Sequence, residues 1–165
     1  MYMEDQNDME DKETYIYPDC RIDPANGYMD APAVYEDMRS MDMLEIIGLG
    51  KHPRLALEES YKVSTHAWTI LTKEHRMVGS FGIAGSEDEN IGVPWLLGTH
   101  RMHLIKKTFL KHSREWIQRV LGDYEVLTNI VMERNELSMR WLKWLGASFH
   151  DCTIDGYKQF YIYKE

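Results

Sequence analysis

Between Ile105 and Leu121 the apolar residues Ile105, Phe109, Trp116, Ile117, Val120 and Leu121 recur at helical spacing, and Gly122 follows as a stop. This predicts one long amphipathic helix. Around it the pattern changes to short β-branched and aromatic runs. Thr14–Ile22 alternates weakly and predicts a first strand. Ala67–Thr72 and Met77–Ile83 predict a hairpin across the polar Lys73–Arg76. Ile91–Leu97 predicts a buried strand with Pro94 inside it, and Tyr124–Met132 predicts another. Ser148–Thr153 and Tyr157–Tyr163 close the chain as a pair around Asp155-Gly156.

Three more helices complete the pattern. Asp30-Ala31-Pro32 is a helix start, with Asp30 as N-cap, and the apolar stripe Val34, Met38, Met41 and Leu44–Ile47 carries it to Gly48 or Gly50. Pro53 opens a second helix that ends before Ser64. Asn135 is placed to cap a short third one, with Leu137, Trp141, Trp144 and Leu145 as its inward stripe and Gly146 as its stop. The expected order is β-α-α-β-β-β-α-β-α-β-β, a mixed α/β (α+β) domain whose sheet is flanked by helices.

Composition narrows the classes. At 165 residues the chain has room for one core and not for two. With 44% apolar residues it is too rich in them to be disordered as a whole. No apolar run approaches the roughly 20 residues of a membrane span. The first residues are acidic and polar, so neither a secretory signal nor a membrane span is expected. Net charge is −8, and most of it sits early: residues 1–45 hold 13 acids and 3 bases. Residues 1–13 are expected to form an acidic lead and 14–165 the domain. Arg101–Arg119 is the one basic stretch, with six bases against Glu115. It can be a solvated helix face or an anion site. Nucleic acid is not expected, because the rest of the chain lacks a basic field. Cys20 and Cys152 are too few for a disulfide framework or a four-cysteine zinc site, and no metal is expected.

The element order and the segment from Asn135 to Ala147 resemble the GNAT superfamily of N-acetyltransferases, in which Asn135, Ser138, Trp141, Leu145 and Gly146 take places of the last-helix motif. Gly92-Val-Pro-Trp-Leu-Leu-Gly-Thr99 is similar to a signature of small bacteriophage GNAT-like proteins, related to an internal virion protein of T7-like phages. The resemblance implies a GNAT-like acyl-CoA N-acyltransferase fold and acetyl-CoA as cofactor. It implies a splay beside Pro94 with the coenzyme's arm along Trp95, Leu96 and Leu97, and places Gly98, Thr99, Asn135 and Ser138 near the coenzyme. Arg101, Lys106 and Lys107 would hold its phosphates, because Thr99–Leu104 lacks the glycines with which the family brings backbone N–H groups to the diphosphate. Leu142 stands where the family carries its general-acid tyrosine. No catalytic residue follows from the motif; His100, just past the strand, is a candidate proton acceptor. The implied function is acetyl transfer from acetyl-CoA to an amine, on a protein or small molecule. The alternative is an inactive protein of that fold that serves virion assembly or binds a host protein. Either places the chain in host cytoplasm or in the virion.

Overall fold

The computed structural model describes residues 14–165; the acidic lead expected at 1–13 lies outside the described residues. An eight-stranded sheet runs in the order β1-β2-β3-β4-β5-β6-β8-β7. Its strands are β1 (Tyr15–Ile16), β2 (Cys20–Pro24), β3 (Ser64–Thr72), β4 (Met77–Gly85), β5 (Ile91–Gly98), β6 (Val126–Met132), β7 (Ser148–Asp151) and β8 (Tyr157–Tyr163). All neighbours are antiparallel except β5 and β6. Helices α1 (Gly27–Glu36), α2 (Ser40–Gly48) and α3 (Pro53–Val63) cover one face, and α4 (Lys106–Val120) and α5 (Glu136–Trp144) the other. Each face closes its own core. Val34, Ile46, Leu57 and Met77 pack under α1–α3, whereas Ile70, Phe109, Trp116, Leu127 and Phe160 pack beneath α4 and α5. Among the described residues no helix is long and apolar enough to cross a membrane.

Three expected elements change form, each for a local reason. The first strand breaks at Pro18, which has no N–H to donate, and becomes the hairpin β1–β2 closed by Tyr17 N–H to the Cys20 carbonyl (2.8 Å). The long helix expected from Asp30 starts earlier, because Asn26 is the cap. The Asn26 side chain accepts from Met29 N–H, while Asp30 reaches back to Asn26 N–H (2.8 Å) in a capping-box arrangement. That helix then divides at Asp37–Arg39. There the backbone pairs with the end of β5 instead of with itself: Met38 bridges Thr99, and Arg39 N–H meets the Gly98 carbonyl at 2.9 Å.

The stripe expected on α5 is out of phase. Leu142 and Leu145 are buried, Trp141 is half-buried against Phe109 with ring centroids 4.8 Å apart, and Leu137 and Trp144 are exposed. A nine-residue helix makes too few turns for periodicity to fix its rotation, so packing against β6 and β8 decides it. Leu142 thus belongs to the core beside Leu127, Val131 and Phe160. Leu142→Ala is expected to cost about 2–5 kcal/mol by urea denaturation. A loss under about 1 kcal/mol would mean that α5 packs in another phase.

Candidate functional site

The one parallel pair in the sheet is also its weak seam. β5 and β6 pair only at Ile91 with Val126 and Gly92 with Leu127, then part. Continuing that register sets Pro94 opposite Asn129. Gly98 N–H points away from β4, so the alternation of a strand puts Leu96 and Pro94 on the same β6-facing edge. Pro94 therefore lacks a donor at the place where β6 would need one. Against β4 the strand is regular, without a bulge. Asn129 fills the gap with its side chain. Its amide donates to the Pro94 carbonyl (2.8 Å) while its own oxygen accepts Ile130 N–H (2.8 Å).

At the open end of the splay α2 lies across both strands. Asp42 accepts Gly98 N–H from β5 (2.9 Å), and Glu45 accepts Met132 N–H from β6 (2.7 Å). Asn135 joins the two acids, donating to Glu45 at 3.0 Å and lying 3.5 Å from Asp42. Arg39 pairs with Asp42 at 3.2 Å. Tyr157 donates to the Glu45 carbonyl at 2.5 Å. Burial pushes both carboxyls above their ordinary range, against the hydrogen bonds that they accept. Asn135 was expected to cap α5, but its side chain makes no capping bond; it is buried and turned to the acids, and its own oxygen has no partner among the described residues.

Inside the splay is a cavity of about 260 Å³ whose apolar walls include Leu96, Met102, Phe109, Trp116, Trp141 and Leu142. Trp95, Leu97, Gly98 and Ser138 also line it, so five of the expected residues meet here. Trp95 is partly drawn off toward α3, donating to Ser64 at 2.7 Å and meeting Tyr61 edge to face. Gly98 N–H is taken by Asp42, which leaves Leu96 N–H as the β5 edge donor that faces the cavity.

The turn after β5 closes on itself. Thr99 is fully buried; its hydroxyl donates to the Val78 carbonyl (2.9 Å) and accepts Arg101 N–H (3.2 Å). His100 N–H goes to the Asp37 carbonyl (3.2 Å) and Met102 N–H to the Thr99 carbonyl (3.1 Å). Met102 lies over Gly98 so closely that a Cβ there would stand 2.5 Å from its Cγ. A tight turn of helix, His100–Ile105, fills the space before α4. Arg101 was expected to meet a phosphate. Its guanidinium is instead buried, bonded to Asp37 (2.9 Å) and the Met77 carbonyl (3.2 Å), and this pairing holds the Asp37 carboxyl below its usual range. Lys106 and Lys107 are exposed on the first turn of α4. His100 is exposed and does not line the cavity. Among the described residues no group of acids, histidines or cysteines is placed to hold a metal.

The cofactor implied by the resemblance can be tested against these groups. The cavity walls suit a narrow apolar arm. The diphosphate end does not fit: the N–H groups of residues 100, 101 and 102 are all spent, and so is Arg101. Asp42, Glu45 and Asn129, which seal the strand edges, were missed from sequence. Asp42 and Glu45 carried a signal, two acids three apart within an apolar helix. Asn129, an amide in the middle of a largely apolar strand, carried another.

The family model described as "Bacteriophage T7, probable scaffold protein Gp13" matches residues 68–153, just over half of the chain. The chain belongs to this family. No curated protein matches it in sequence. Among solved structures it is similar to an acetyltransferase of the GNAT family from Bacillus anthracis (12% identity, 92% of this chain and 98% of that one, TM-score 0.58). It is similar also to the GNAT domain of S. lividans PAT (11% identity, 86% and 89%, TM-score 0.63). A third is the ribosomal-protein-S5-alanine acetyltransferase from Vibrio fischeri (13% identity, 93% and 97%, TM-score 0.60). At such identities the likeness is one of fold. This member of the Gp13 family has the GNAT acyltransferase fold, and its seam lies where the sheet splays.

The buried acids give the site a pH signature. A carboxyl raised in the folded state binds more protons folded than unfolded, so it supports stability at low pH and loses that support as pH rises above the ordinary carboxylate value. Asp42 starts from 3.8 and is raised. In urea titrations from about pH 4 to 7, Asp42→Asn is expected to gain stability relative to the parent as pH rises. Parallel curves would show that Asp42 titrates as an ordinary surface acid.

Proposed function

We propose that the chain is a bacteriophage assembly protein that uses the GNAT fold as a scaffold-type part, with its interstrand seam sealed against coenzyme A. The observation that carries this reading is the sealing itself. Asp42, Glu45 and Asn129 take the strand-edge groups, and Asp37 and Thr99 take the donors of the turn that would face a diphosphate. The description of its family as a probable scaffold protein supports the same role.

A second reading is a phage-encoded N-acetyltransferase that takes acetyl-CoA and an amine acceptor, protein or small molecule. One observation favours it: Leu96 N–H faces an apolar cavity large enough for a thioester arm. Lys106 and Lys107 would then be the groups available to phosphate.

Calorimetric titration with acetyl-CoA to millimolar ligand separates the two. No saturable heat is expected. Saturable binding that weakens with added salt and in Lys106→Ala/Lys107→Ala would overturn the sealed-seam reading and support the transferase. A second measurement tests the assembly role directly. Mass spectrometry of purified precursor particles and virions should find the chain in the precursors; absence from both would refute that role.

A further inference from the structure

The face of α4 and α5 away from the sheet carries an apolar patch with a basic rim. Its centre is Trp144, 45% exposed, with Leu110 and Leu137, 39% and 49% exposed. Trp144 is held rigidly. Its indole donates to the Leu110 carbonyl at 3.2 Å, and Arg114 bonds the Trp144 carbonyl at 2.9 Å while its guanidinium lies 4.0 Å from the ring centroid. One side of the ring is thus covered by a cation, and just under half of the residue's surface is presented to solvent. Lys107 and Lys111, a turn apart on α4, and Lys143 beside Trp144 are all exposed and have no acidic partner among the described residues.

These two features point to one kind of occupant. A tryptophan already fixed in place loses little entropy on binding, and such residues make the strongest single contributions to interfaces. Three lysines without partners favour negative charge in whatever docks. We infer that this patch is a docking surface for an acidic protein segment that brings an apolar anchor, with the anchor on Trp144 and Leu110 and its carboxylates on Lys107, Lys111 and Lys143. Duplex nucleic acid is a poorer match. Its backbone offers phosphates to the lysines and nothing apolar to the centre. Lys107 is shared with the second reading of the seam, but Lys111, Lys143 and Trp144 do not line the cavity and the peptide test contains no coenzyme A, so its outcome is read separately from coenzyme binding.

The probe is a labelled, helix-forming peptide with Leu and Phe on one face and Glu on the other, titrated into the full chain and followed by anisotropy. Saturable binding is expected, weaker at higher salt. Lys107→Glu/Lys111→Glu should reduce it at least about tenfold, with circular dichroism confirming an unchanged fold, since both side chains are exposed. Trp144→Phe should weaken it as well, and a peptide with Lys for Glu should not bind. Three results would overturn the inference. One is equal binding of the Lys peptide. Another is binding to anionic vesicles or duplex DNA with none to the Glu peptide. The third is self-association of the chain, by sedimentation, that the double variant abolishes, because the patch would then belong to a second copy.

Discussion

A backbone N–H or carbonyl in the middle of a sheet must find a partner, and the parting of β5 from β6 leaves a row of them without one. The chain meets this demand from within. Asn129 answers Pro94 and Ile130, Asp42 answers Gly98, and Glu45 answers Met132. The placement of α2 follows from it. Asp42 and Glu45 stand three apart on one helix face, so a single helix laid across the open end reaches both strands at once. The break between α1 and α2 follows too, since a continuous helix could not let Met38 and Arg39 pair with the end of β5.

The arrangement has a cost that shows in the acids. Neither carboxylate is fully compensated: burial raises both, and Asn135 shares one amide between them while its own oxygen stays unpartnered among the described residues. The bonds to Gly98 and Met132 N–H offset part of that cost, because an unmade buried hydrogen bond costs about 1–3 kcal/mol.

Much of this geometry was legible in the sequence, and the reason is chemical. Pro94 signals a break in the ladder because proline's missing donor is a local fact, and the family resemblance turned that break into an expected splay. The hairpin at Lys73–Arg76, α3 from Pro53 and the Tyr157–Tyr163 strand were likewise set by local turn and breaker residues. What could not be read was anything depending on partners distant in the chain. Asp42 lies 56 residues from Gly98 and Glu45 lies 87 from Met132, so their pairing exists only once the sheet has formed. Arg101 belongs to the same class: its charge suggested an anion, and its fate was decided by Asp37, 64 residues away. Asn135 shows the converse, a residue with the right type to cap its helix that was claimed by a stronger demand elsewhere.

On the assembly-protein reading, the closed seam also explains how the fold can be kept without coenzyme A. In an open splay, the strand edges stay unsatisfied until something extended lies between them, so the sheet and its ligand stabilise each other. Where side chains of the same polypeptide supply most of those bonds, as they do here with Leu96 N–H left over, the sheet depends less on a ligand for its completeness. On that reading, the turn after β5 is free to pack as an ordinary corner. Its present state fits this: Thr99 caps it, Met102 covers Gly98, and Arg101 ties it to α1 through Asp37. Each of these contacts adds rigidity at the price of access. A part that must keep its shape while larger assemblies form around it gains from that exchange, whereas an enzyme that must admit and release a cofactor at every turnover does not.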